Sequence, residues 1–266
     1  ADVEGNIGYR MAGIIPIRTS KSPTLPFPGW TSDHDWKGFV PFDEMPHVLN
    51  PPEGFIATAN NKIIADSYPY YVSNLWEPHW RITRITELLK NQPTCSVEDF
   101  QRFQLDVYST HAREIVPLIL KSYEGKEVNS PDVQTALNYF RTWNFEMKKE
   151  NVATTLFEVF FVNMIHSIFE DEMGADLLAV YDTLASLPLS VTTKLMVKGS
   201  SPWFDNVKTL QTETMNDLIH QSMDDAINGL KKMYGGELKE WQWGKLHYVE
   251  LPHIFGGEKI LKPVFN

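Results

Sequence analysis

One cysteine, Cys95, stands in 266 residues, so an internal disulfide framework and any cysteine-based zinc site are excluded. Positive charge is also scarce: 24 Lys and Arg face 34 Asp and Glu, a formal net charge of -10. A general nucleic-acid binder needs a basic footprint, and no block of clustered Lys and Arg supplies one. Long apolar runs are missing. The longest, Leu156 to Phe169, is interrupted by Glu158, Asn163 and His166; it is too short and too polar for a membrane span and reads as a buried core helix. The eight histidines show no His-Glu-x-x-His spacing, and neither a Gly-x-Ser-x-Gly elbow nor a phosphate-cradling glycine loop occurs. No solenoid-length repeat is present.

What is there suits a globular protein. Hydrophobic residues make up 42% and charged residues 22%, and eight Trp, ten Tyr and fifteen Phe can fill a substantial core. The length allows one large domain or two small ones. The expected class is α+β, with a β-rich, loop-rich opening over residues 1–80, a mainly α-helical domain over 81–250 and a tail over 251–266.

In the opening segment, Asp2-Val3 and Ile7 to Met11 flank Glu4-Gly5-Asn6, a hairpin-like turn. Residues 19–35 carry Pro23, Pro26, Pro28 and Gly29 and predict a long ordered loop in which Leu25, Phe27 and Trp30 are buried. Asp35-Trp36-Lys37-Gly38 reads as a structural loop, with Trp36 as anchor and Asp35 binding nearby N–H groups. Phe55 to Ala59 reads as a buried strand ending at Asn60-Asn61.

From Arg81 the pattern turns helical. Ile82 to Lys90 is a short helix. Ser96, with Asp99 three residues on, opens a second with a capping-box-like start. Phe100, Phe103 and Val107 continue it, and Pro117 is expected to kink it. Ser130-Pro131 opens another helix whose face is marked by Val133, Leu137, Phe140 and Met147. Helices are expected over 153–172 and 175–186. A stripe from Met215 to Met233 ends near Gly235-Gly236, and the tail from Trp241 returns to loops with strands.

Taken alone, Asn60-Asn61 is a turn or an Asx cap, and Arg81 is a helix first-turn residue that opposes the helix dipole. Four blocks in order change that weighting: Ala1 to Tyr9, Gly13 to Arg18, Asp35 to Phe42, and Gly54 to Asn61 followed by Trp76 and Arg81. In this order and spacing they resemble the penicillin acylase family of N-terminal nucleophile amidohydrolases. The resemblance resumes at Ser201 to Asp205 and at Trp241 to His247.

The resemblance implies that the opening segment is part of an αββα sandwich. It also implies a precursor that cuts itself and frees a Ser whose own α-amine acts as base. Since the chain opens on Ala1, that nucleophile is expected elsewhere. Asn60 matches the side-chain donor to the oxyanion, Asn61 remaining a turn residue. Arg81 matches the cation that orients the amine and Asn network. The carbonyl of Pro16 matches one ligand of a structural calcium; the loop from Asp66 to Asn74 has no acid in the place of a second ligand, and Asn74 is its nearest oxygen donor. The implied substrate is a small acyl amide, a β-lactam side chain or an N-acyl homoserine lactone. The implied partners are the remaining small- and large-subunit segments of the same precursor, with no nucleic acid and no membrane. The implied location is periplasmic or secreted. A non-catalytic helical binding or assembly module derived from the family stays open as the alternative.

Overall fold

The computed structural model describes residues 1–20, 24–249, 251, 253–255, 257–260 and 264. The chain divides into two compact units, Ala1–Asp106 with Ala185–Ser190, and Val107–Leu184 with Val191–Asn266.

The first unit is loop-rich. The Asp2 carboxylate accepts the Glu4 and Asn6 N–H groups at 3.0 and 2.8 Å and the Asn6 side-chain amide at 2.8 Å, closing the expected turn. The Asn6 side-chain bond is the main reason the Asp2 carboxyl is held below the ordinary carboxylate range. The strand after it, β1 (Gly8–Arg10), does not pair with Asp2-Val3. Its antiparallel partner is β2 (His47–Leu49), in the register Gly8↔Leu49 and Arg10↔His47. Asn50 ends β2 with φ 45°, a left-handed conformation that Asn tolerates, and its side chain accepts the Ile7 N–H at 2.9 Å. A single antiparallel bridge joins Pro16 to Phe39, flanked by Val40 N–H to Ile15 O and Ile17 N–H to Gly38 O, both 2.9 Å. Pro16 occupies the position of the pair that needs no donor, which suits a residue without an N–H.

Two helices follow. α1 (Trp80–Lys90) starts two residues before the expected Ile82. α2 (Val97–Gln104) carries the full capping box: Ser96 accepts the Asp99 N–H, and Asp99 accepts the Ser96 N–H. Arg84 on α1 makes a two-pronged contact with Asp106, at 2.9 and 2.7 Å.

Several expectations for this unit are corrected. Phe55–Ala59 is not a strand: it has no ladder partner among the described residues, and only Ala59 is buried, since an extended run becomes a strand only where another lies beside it. Leu25, Trp30 and Trp36 are exposed at 73%, 86% and 59%, and Phe27 is on the surface as well. The unit has little core to cover them with: among the described residues its buried apolar side chains are Val40, Met45, Ala59 and Pro188. The Asp35 side chain accepts no N–H group among the described residues; its own N–H donates to Ser32 O. Pro23 lies outside the described residues.

The second unit has a true core. α5 (Val152–Tyr181) buries Leu156, Phe157, Phe160, Phe161, Met164, Ile165, Ile168 and Phe169. It packs most extensively on α7 (Met215–Tyr234), which contributes Leu218, Ile219, Met223, Ala226, Ile227 and Leu230. α3 (Thr110–Ser122) and α4 (Pro131–Thr142) close the bundle with Ile115, Val116, Ile119, Ala136, Leu137 and Phe140. Each fully buried side chain of this size is worth about 1.5–3 kcal/mol over exposure. By length and composition α5 could cross a bilayer, but its most apolar stretch is 67% buried inside the protein. Burial also pushes the carboxyl of Glu158, on α5, up to about 7.

The expected long helix after Ser96 is two helices. α3 has its own cap, the Ser109 hydroxyl accepting the Ala112 N–H at 3.1 Å, and Val107 lies in the break, its carbonyl accepting from Met147. α3 runs on through Pro117. Met147 therefore lies beyond the end of α4 instead of on its face. Gly174, at φ 71°, breaks α5 where two helices were expected, and the second part ends at Tyr181, short of 186. α6 (Leu187–Lys198) follows. α7 is opened by a Thr214–Asp217 capping box and closed by Gly235 at φ 84°, with Met233 exposed. A short α8 (Trp243–Leu246) follows Trp241, which is fully buried and donates its indole N–H to Gly235 O. The described part of 251–266 contains turns and no strand; residues 250, 252, 256, 261–263, 265 and 266 lie outside the described residues.

Candidate functional site

The extended run from Phe55 brings the chain to Asn60, which adopts φ 59°. Among side-chain-bearing residues Asn and Asp enter this left-handed region at least cost. Asn61 supports the turn: its carboxamide oxygen accepts the Ala59 N–H at 3.0 Å, and its amide donates to Lys62 O at 3.0 Å. Asn61 is thus the structural turn residue.

Arg81 lies in the first turn of α1, where the helix dipole disfavours a cation by about 0.3–1 kcal/mol. Its guanidinium finds acceptors that offset this. Nη2 donates to Ala59 O at 3.0 Å and to Asn60 Oδ1 at 2.8 Å, and lies 3.9 Å from Glu77 Oε2. The Glu77 N–H donates to Asn60 O at 3.0 Å, and Glu77 Oε1 accepts the Ser186 hydroxyl at 2.9 Å. Glu77 and Ser186 carry no mark in the sequence of belonging to this cluster, beyond the position of Glu77 four residues before Arg81.

This geometry decides which way the Asn60 carboxamide faces. A guanidinium has donors only, so the oxygen of Asn60 must face Arg81 and the NH2 must face away. No described residue accepts from that NH2. The result is an exposed side-chain amide donor, polarised from behind by a cation and held by a backbone in a conformation that suits Asn. Such a group can donate to a developing negative charge without reorganising.

Pro16 lies on the bridge to Phe39, and its carbonyl takes no hydrogen bond among the described residues. Calcium binds six to eight oxygens, largely carboxylates. Among the described residues no three Asp, Glu, His or Cys side chains cluster to hold an ion. Asn74 Oδ1 already accepts the Tyr71 hydroxyl at 2.8 Å, and Asp66 is paired with Lys62. The described donor set does not fit a calcium ion.

An oriented amide donor backed by a guanidinium belongs to the class of anion-stabilising arrangements used in acyl transfer. The penicillin amidase family model matches residues 1–266, and the chain belongs to that family. It is 28% identical to acyl-homoserine lactone acylase QuiP of Pseudomonas fluorescens (strain Pf-5), over 94% of this chain and 33% of that protein. It is 27% identical to penicillin acylase 2 proenzyme of Pseudomonas sp. (strain SE83), over 95% and 31%. It is 28% identical to penicillin G acylase of Escherichia coli, over 91% and 31%. The solved structure of a thermostable penicillin G acylase from Alcaligenes faecalis superposes with a TM-score of 0.67 at 21% identity, over 91% of this chain and 47% of that one, a likeness of fold. The chain spans about a third of the length of the curated relatives it matches.

Proposed function

We propose that this chain supplies the oxyanion-stabilising part of an acylase-type amidohydrolase. The substrate class is a small acylated amide of the β-lactam side-chain or N-acyl homoserine lactone type, the two classes named in its relatives. The observation that carries the proposal is the Asn60 amide, turned outward by the 2.8 Å bond from Arg81.

The attacking hydroxyl belongs to an N-terminal Ser outside these 266 residues, whose α-amine, titrating near neutral pH, takes its proton. Attack on the amide carbonyl converts its oxygen to an oxyanion, which accepts from Asn60 Nδ2. Arg81 keeps the Asn60 oxygen occupied, so the amide cannot flip, and its charge strengthens the donor. The tetrahedral adduct then collapses as the α-ammonium returns that proton to the departing amine, and water, deprotonated by the freed α-amine, hydrolyses the acyl-enzyme to the acid and the free Ser hydroxyl.

The partners in this proposal are the other segments of the same precursor. The exposed Trp30, Trp36, Phe39 and Phe42 of the first unit support such covering partners, since lone units rarely leave so much aromatic surface bare. A periplasmic or secreted location is part of this proposal, as the family resemblance implies. Pro16 is proposed as no more than one ligand of a calcium completed elsewhere, and no chemical step depends on it. The 266-residue chain alone is expected to cleave no phenylacetyl amide, while the product of the whole open reading frame does so. Enzyme-like turnover by the isolated chain would overturn the assignment of the nucleophile.

A further inference from the structure

We infer that Glu77 is a positioning residue that holds Asn60 and Arg81 in their working geometry, through an anchor supplied by Ser186. The inference rests on the reading of Asn60 as the amide donor and goes beyond it by naming what keeps the donor in place.

Three contacts converge on Glu77. Its N–H holds the carbonyl of Asn60 at 3.0 Å, at the residue whose backbone is left-handed. One carboxylate oxygen, Oε2, stands 3.9 Å from the same Arg81 nitrogen that binds Asn60 Oδ1. The other, Oε1, accepts the Ser186 hydroxyl at 2.9 Å. Arg81 in turn binds Ala59 O, closing a ring of contacts around residues 59, 60, 77 and 81. Ser186 is 109 positions away in sequence, and it lies in the segment Ala185–Ser190 that belongs to the first unit. The loop between Asn60 and α1 is thus tied to chain that arrives from far away.

The division of labour follows from the distances. The Glu77–Arg81 separation is long and the Arg81 side chain is 57% exposed, so the ion pair itself contributes little. The contact with Ser186, at 2.9 Å, is within ordinary hydrogen-bond distance. It fixes the Glu77 side chain, and with it the backbone N–H that holds Asn60. Losing this tether lets the Asn60 amide drift, and misplacement of a reacting group by about 1 Å costs on the order of a hundredfold in rate.

The test is kinetic and uses the complete enzyme, on a chromogenic phenylacetyl amide. Glu77→Ala is expected to lower kcat by about ten- to a hundredfold with KM changed by less than about twofold. Glu77→Gln keeps an acceptor for Ser186 and should restore kcat to within about threefold of wild type. The deciding readout is non-additivity: in an Asn60→Ala background, Glu77→Ala should cost less than about a further twofold, because the group it positions is gone. If the two losses multiply, Glu77 acts on something other than Asn60 and the inference falls. Wild-type kcat in Glu77→Ala also overturns it. Normal turnover in Asn60→Ala alone overturns the donor reading and removes the role of Glu77 with it. Should Glu77→Ala not accumulate as folded protein, Ser186→Ala takes its place, with an expected loss of about threefold in kcat that disappears in the Asn60→Ala background; an unchanged kcat there refutes the anchor.

Discussion

Replacing Asn60 by Asp separates donor chemistry from structure at this site. Asn and Asp are close in shape, and both accept the left-handed backbone at φ 59°. Alanine does not tolerate it as well, so Asn60→Ala mixes strain with loss of the amide. In Asn60→Asp a carboxylate oxygen meets the Arg81 donor that now lies 2.8 Å from Oδ1. An exposed pair of this kind adds about 0–1 kcal/mol of stability, so the melting temperature should hold or rise slightly. The other oxygen replaces the outward NH2. The oxyanion then loses a donor worth about 3–4 kcal/mol, or two to three orders of magnitude in kcat. It also faces a like charge, which deepens the loss. Steady-state kinetics of the whole enzyme on a phenylacetyl amide and on an N-acyl homoserine lactone, paired with thermal melts, measure both quantities. A variant with an unchanged melting temperature and kcat within about threefold of wild type would refute the reasoning, because no donor at position 60 would then be needed.

Two further predictions concern stability. Glu158 has its carboxyl raised by burial to about 7 from an ordinary 4.5, so the folded state holds a proton that the unfolded state releases. Its contribution is therefore greatest below pH 4.5 and is lost as pH rises through 7, by up to about 3 kcal/mol. Glu158→Gln should leave the melting temperature unchanged at pH 4 and raise it at pH 8; no gain at pH 8 would contradict the buried-carboxyl reading. Gly244 lies against Lys149, where a Cβ would stand 2.9 Å from Lys149 Cβ and 3.3 Å from Lys149 O. Gly244→Ala should cost about 1–3 kcal/mol by urea denaturation, and a change below about 0.5 kcal/mol would show that the contact can open freely.

The parts of the fold legible in the sequence are those written locally. Ser96 with Asp99, Ser130 with Pro131, and the Met215 stripe ending at Gly235 each mark a helix end by a side chain within a few residues of the group it caps. What failed depended on distance. Phe103 and Val107 keep helical spacing across the break before α3, so periodicity alone merges two helices, although Ser109 is a competent cap. β1 pairs with a strand almost forty residues downstream, and nothing near Asp2 reveals that. Phe55 to Ala59 has the composition of a strand, but strandhood is a property of a pair. The candidate site divides in the same way. Asn60 and Arg81 stood out through the order of the family blocks, and the 2.8 Å bond between them is a fact of the three-dimensional structure. Glu77 had a faint local signal in its spacing from Arg81. Ser186 had none, since its contact spans 109 positions.

The return of Ala185–Ser190 to the first unit also sets an order of events during synthesis. After Asp106 the ribosome must add roughly eighty residues before the missing piece emerges, and closing a loop of that length costs about 4 kcal/mol in chain entropy. The intervening stretch includes α3, α4 and α5, whose nearby contacts can form early and shorten the effective loop. The first unit is therefore completed only after α3, α4 and α5 have been made, although most of its residues are translated before them.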